Sequence, residues 1–159
     1  MTPLWETVAR MLLSAALGGI IGLEREQQHK PAGFRTVMLV SLASTIFVLA
    51  ATQAAERYGE AVDAVRAMSG IAQGIGFLGA GAILQSRGEV RWLTTAAALW
   101  ASAAIGYAVG VGSYGVAIIA AILVYAALHW LGVVTDKWLK VNEQRKDRPQ
   151  RSKSDPPMP

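Results

Sequence analysis

The sequence predicts an all-α protein: a polytopic transmembrane helical bundle of about five spans, N-terminus outside and C-terminus inside the cell. Three observations carry that reading. From Trp92 to Thr135 there are 44 consecutive positions without Asp, Glu, Lys or Arg. Two more charge-free runs, Thr36–Ala55 and Ala67–Ser86, hold 20 residues each. The basic residues, in turn, are gathered into the connections and the tail. A helix that crosses the hydrocarbon layer needs about 20 mostly apolar residues, whereas an amphipathic helix of a soluble bundle carries polar groups on one face at every turn.

The first span is the apolar run Met11–Leu23, extending back to Leu4 when Glu6 and Arg10 are accommodated near its entrance. Thr36–Ala55 and Ala67–Ser86 supply the second and third. The 44-residue run is long enough for two more, with a break near Gly110-Val111-Gly112-Ser113-Tyr114-Gly115. Residues 1–135 therefore read as one transmembrane domain and 136–159 as a basic cytoplasmic tail. In that tail Trp138, Leu139 and Val141 among lysines and arginines suit either a short helix on an anionic leaflet or a solvated anchor. From Pro149 onward the tail has almost nothing to bury and is expected to be disordered.

Charge position fixes the orientation. With the N-terminus outside, Arg25, Lys30, Arg35, Arg87, Arg91 and the seven basic residues of the tail all lie inside, leaving Arg10, Arg57 and Arg66 outside. The opposite orientation violates the positive-inside bias. The same segregation removes nucleic acid as a partner, although the net charge is +4 and the pI about 9.7. No basic stretch precedes the first apolar run, so it reads as a retained span and not a cleaved signal peptide. The chain has no cysteine, which excludes disulfides and thiolate metal sites.

Gly74-Ile75-Gly76-Phe77-Leu78-Gly79 matches the dinucleotide fingerprint in its letters. That fingerprint works between a strand and a helix with an acidic residue some 20 positions on, and here it lies inside an apolar span with no such residue. Small residues in a membrane helix let backbones approach, because lipid offers little hydrophobic drive for helix association. Gly18/Gly22, Gly70/Gly74 and Gly106/Gly110 stand four apart, and Gly76, Gly79 and Gly81 add further small positions to the third span. The third span is thus expected at a tight contact, within the chain or between copies, as a central helix or an interrupted one lining a polar cavity.

Glu6, Arg10, Ser14, Gly18, Gly22 and Arg25 share one face of the first span. Arg10 there either points into the bundle or extends outward to the interface. Asp63 and Arg66 open the third span, where a surface ion pair is the plain reading. His29 and His129 have no ligand partner at useful spacing. No nucleophile–base pair, paired carboxylates or metal cluster emerges, so the chain reads as no enzyme and calls for no cofactor. A magnesium path would use carboxylates or carbonyls, since that ion demands oxygen ligands. Glu6, Glu24 and Asp63 stand only at span borders.

Three stretches carry a resemblance: GGIIGLEREQQHKPAGFRTVMLVSLAS (Gly18–Ser44), then Asp63 and Arg66 ahead of GIGFLGAGAIL (Gly74–Leu84), and VRWLTTAAALWASAAIGYAVGVGSY (Val90–Tyr114). In this order and spacing they resemble the MgtC/SapB family of bacterial inner-membrane proteins, over nearly all of residues 4–133. The resemblance implies a small helical membrane domain and a role in adaptation to scarce magnesium, including virulence in some pathogens. It also implies action on a membrane partner such as the F-type ATP synthase. The residues themselves leave open a homo-oligomer, through the glycines of the third span, and leave a small ion or solute channel or transporter as the alternative. By motif position the resemblance makes Glu24, Arg25, Lys30, Arg35, Asp63, Arg66, Thr94 and Thr95 the functional residues. Two departures stand out: Gly70 and Gln73 replace the polar residue and serine common in the family. The soluble C-terminal domain of many members is not expected here, nor is regulation through it.

Overall fold

The computed structural model describes residues 3–59, 64–86 and 89–131. Its helices are α1 (Leu4–Gln27), α2 (Phe34–Tyr58), α3 (Ala64–Ala82), α4 (Leu93–Gly110) and α5 (Tyr114–Ala126), the last continuing into a π-helical turn at Ala127–Leu131. A short antiparallel hairpin, β1 (Leu84–Ser86) and β2 (Glu89–Arg91), joins α3 to α4, with Leu84 opposite Arg91 and Ser86 opposite Glu89. Asp63, Arg87 and the tail 136–159 lie outside the described residues.

Among the described residues the fold is all-helical apart from that hairpin. By length and composition α1, α2 and α4 are able to cross a membrane, while Tyr114–Trp130 is apolar but shorter. α3 reaches 19 residues but spends five of them on glycine and carries Arg66 and Gln73. Leu12, Phe47, Phe77, Ile119 and Leu123 stand exposed around the bundle. So many large apolar side chains facing outward is the pattern of a protein surrounded by lipid.

Local chemistry sets the helix ends. The Phe34 amide at the start of α2 donates to Glu26 Oε2 at 2.8 Å, so a carboxylate from the end of α1 caps the next helix. α2 stops at Gly59, whose φ of 69° is a left-handed C-terminal cap. α4 ends where the glycine-rich break was expected: Gly112 turns with φ 83°, and the Ser113 amide donates to Ala108 O at 2.8 Å.

The core is a triad of α1, α2 and α4, the helices in most extensive mutual contact. Ser41 of α2 is its hub. A Cβ added to Gly18 of α1 would come within 2.6 Å of Ser41 Cβ, and one added to Gly106 of α4 within 2.0 Å of Ser41 O. Gly22 and Gly110 bring the same helices against Phe34 and Val48, with added-Cβ distances of 2.7 Å each. The close approach is fastened by hydroxyls: Ser14 and Ser41 Oγ are 3.0 Å apart, and Thr45 Oγ1 donates to Gly106 O at 2.7 Å. Ile21, Val37, Ile105 and Val109 fill the space on either side. α5 closes the bundle with Ala117 and Ala121. α3 is an unbroken helix at the edge, packed mainly on α4 through Ile75 and Gly79.

Candidate functional site

α1 delivers Glu24 and Arg25 to one end of the bundle, both 2% exposed. Successive residues on a helix diverge by about 100°, so the two side chains take different partners. Arg25 Nη2 donates to Thr95 Oγ1 at 2.9 Å, tying α1 to the first turn of α4. Glu24 accepts from Gln28 Nε2 one turn on. His129 Nδ1, from the π-helical turn, lies 3.9 Å from Glu24 Oε1, and its ring stacks on Tyr125 with centroids 5.8 Å apart. Glu24 Oε2 and Arg25 Nε are buried without a hydrogen-bond partner among the described residues. Arg10 Nε and Ser102 Oγ share that condition, and unsatisfied buried polar atoms are costly and uncommon in native interiors.

Arg25 also lines a cavity of about 790 Å³, together with Gln28, Lys30, Arg91, Trp92, Thr94 and Thr95. Lys30 Nζ sits 5.9 Å from the Trp92 ring centroid. The backbone here is unusual. His29, Ala32 and Trp92 have φ of 53°, 56° and 72°, and all three belong to the two connections at this end. A bulky side chain in the left-handed region is strained, and such strain collects at functional sites.

A second polar group closes the other end. Arg10 turns into the bundle: Nη1 donates to Gly110 O at 2.7 Å, Nη2 pairs with Glu6 Oε1 at 2.5 Å, and the guanidinium lies 5.8 Å from the Tyr114 ring centroid. It thereby fastens the end of α4 and the start of α5 to α1.

The residues singled out in the sequence thus separate. Arg25, Lys30, Thr94 and Thr95 share the one cavity, with Glu24 behind it. Arg35 and Arg66 line an open groove of about 800 Å³ between α2 and α3, together with Gly70, Gly74 and Phe47. Asp63 is outside the described residues. Around the glycines the contrast is sharp. Gly18 and Gly22 meet α2 closely and a Cβ added to Gly79 would lie 3.6 Å from Ala96 Cβ, but one added at Gly70, Gly74, Gly76 or Gly81 meets no described residue within 4 Å. These four therefore make no tight contact among the described residues.

Three participants were not picked out from sequence. Gln28 and His129 meet Glu24, and Trp92 holds Lys30. Gln28 does stand one helical turn after Glu24, a spacing at which side chains meet. His129 carries no such signal, since it comes from a distant part of the chain. Among the described residues, no group of three or more His, Cys, Asp or Glu side chains converges as a metal site would need.

The sequence comparison adds what geometry alone does not. The profile of the MgtC family matches residues 11–137. The chain belongs to the MgtC family. It is 40% identical over 124 residues to the protein MgtC of Brucella abortus, covering 78% of this chain and 50% of that one. To SrpB of Synechococcus elongatus it is 41% identical over 120 residues, covering 69% of this chain and 66% of that protein. An Escherichia coli relative named "Putative magnesium transporter YhiD" is 32% identical over 146 residues, covering 86% of this chain and 66% of that protein. The chain therefore spans between half and two thirds of the length of these relatives. No solved structure matches it. As a MgtC-family chain with long apolar helices, it is a membrane protein.

Proposed function

We propose that this MgtC-family chain is a multi-pass inner-membrane protein that acts on a membrane partner when magnesium is scarce, not an enzyme and not itself a magnesium path. The N-terminus lies outside and the Arg25 end faces the cytoplasm, as the basic residues favour. The observation that carries this reading is the closed middle of the bundle. At Ser41 the backbones of α2 and α4 approach so closely that not even a methyl group fits at Gly106. The polar groups at that level, Ser14, Ser41 and Thr45, bond to one another or to backbone within the triad. Among the described residues Glu24 is the one buried carboxylate, and a magnesium path would need several oxygen ligands in sequence. The F-type ATP synthase is the partner the family resemblance suggests.

The name of the Escherichia coli relative favours a second reading, a small ion transporter. One experiment separates the two. A deletion strain is grown in low magnesium and scored for growth, ATP level and membrane potential, beside liposomes holding the purified protein. The partner-acting reading expects altered ATP or potential and no flux. Selective magnesium flux from the pure protein, with ATP and potential unchanged, would overturn it. Orientation has its own check: single cysteines replacing Gln28 and Ser113 should react from opposite sides of the membrane, Gln28 from the cytoplasm.

A further inference from the structure

We propose that the cavity at the Arg25 end is a binding site for one acidic phospholipid. Its phosphate lies against Arg25, Lys30 and the first turn of α4, and an acyl chain follows the wall between α4 and α5. Charge is the first argument. Arg25, Lys30 and Arg91 line the cavity, whereas the neighbouring carboxylate of Glu24, one oxygen of which accepts from Gln28, does not line it. Arg25 is 2% exposed, yet it borders the cavity and its Nε has no hydrogen-bond partner among the described residues. A guanidinium so buried and incompletely bonded suits a fixed anion, since charged donors bond phosphate oxygens strongly.

The second argument is the helix end. α4 has no side-chain cap, and its first turn presents Thr94 and Thr95 at the same cavity. The first amides of a helix have no partner within it, and the helix dipole favours negative charge there. A phosphate placed at this point meets amides, two hydroxyls, a guanidinium and an ammonium.

The third argument separates a lipid from a free phosphate. Besides its polar residues the cavity is lined by Ala98, Ala101, Val124 and Leu128. Free phosphate has no use for that apolar wall, whereas an acyl chain covers it. The cavity also lies where α1 ends and α4 begins, two helices long enough to span, which is headgroup depth. Basic pockets between membrane helices are recognised sites for acidic headgroups. The inference holds whether the protein acts on a partner or transports an ion.

The test uses the full chain in nanodiscs containing phosphatidylglycerol and phosphatidylcholine at equal mole fraction, released into native mass spectrometry. Wild-type protein is expected to retain one phosphatidylglycerol in clear preference to phosphatidylcholine. Arg25 also ties α1 to α4, so the diagnostic variants are Lys30→Ala and Thr94→Ala, each checked for an unchanged thermal melt. Lys30→Ala should lower phosphatidylglycerol retention about fivefold, the effect of one lysine near an anionic headgroup, and Thr94→Ala should lower it less. Equal retention of the two lipids by wild type would overturn the proposal, as would a folded Lys30→Ala protein that retains phosphatidylglycerol like wild type. Displacement of the lipid by inorganic phosphate would reassign the site to a soluble anion and overturn it as well.

Discussion

α3 and the pair α1/α4 are written in the same alphabet and used in opposite ways. Gly70 and Gly74 repeat the four-residue spacing of Gly18/Gly22 and Gly106/Gly110. On α1 and α4 those glycines press against α2, with an added Cβ meeting backbone or Cβ atoms at 2.0–2.7 Å. On α3 they face open space. The spacing of small residues therefore tells which positions share a helix face, but not whether a neighbour occupies that face. In lipid the distinction has consequences. A glycine used for close approach is nearly irreplaceable, because packing contact drives association there. A glycine on an open face costs helix propensity and returns no contact within the chain.

The largest effect should come from Gly106→Ala. The added methyl would sit 2.0 Å from Ser41 O, backbone that α2 can move only by leaving the triad. Overpacking of a dense core costs about 1–3 kcal/mol and occasionally more, and this clash belongs at the top of that range. Reversible unfolding in mixed micelles, titrated with a denaturing detergent, measures it. A midpoint equal to wild type would mean that the α2–α4 contact is loose.

Gly22→Ala sharpens the same point on the other side of α2. Its methyl meets Phe34 Cα at 2.7 Å and Phe34 O at 2.9 Å, but these lie in the first turn of α2 next to the α1–α2 connection. A helix end adjusts more readily than a helix centre, so the expected loss is about 1–2 kcal/mol. The same unfolding assay should rank it below Gly106→Ala.

How much of this was readable beforehand follows from what a one-dimensional pattern contains. The helices and the turn between Gly110 and Tyr114 were legible, because apolar length and glycine clusters act locally. The resemblance named Arg25, Lys30, Thr94 and Thr95 among eight residues without grouping them; that these four line one cavity is seen only in the structure. His129 was illegible, since its approach to Glu24 depends on how α5 returns to the end of α1. The direction of Arg10 was equally so: a flexible arginine four residues after Glu6 fits an outward or an inward course, and Gly110 O from a distant helix decides between them. The open face of α3 could not be read at all, because what a face meets is a property of the tertiary fold.

A smaller effect is expected from Ser41→Ala. Its hydroxyl is 3.0 Å from Ser14 Oγ in the dry centre of the triad. Hydrogen bonds between membrane helices contribute about 0.6 kcal/mol on average, and alanine fits the space that serine fills. The loss should be of that size, and the double variant with Ser14→Ala should cost scarcely more than either alone. Full additivity in that cycle would show that the two hydroxyls do not act as a pair.

The smallest change is expected for Gly74→Ala. No described residue lies within 4 Å of the added methyl, so no clash opposes it. Alanine is favoured over glycine within a helix by about 1 kcal/mol in water, although most of that gain is offset where lipid already enforces helical structure. The stability of the isolated chain should therefore stay within about 0.5 kcal/mol of wild type or rise slightly. Gly74→Leu tests the face more severely, since a long side chain there enters the groove that Arg35 and Arg66 border. If the groove is filled only by lipid, both variants should elute in detergent at the wild-type size. Should a second copy of the chain occupy it, Gly74→Leu would shift the elution to the monomer while unfolding of the monomer stayed unchanged. The glycines of α3 would then be contact glycines after all, serving a contact between molecules.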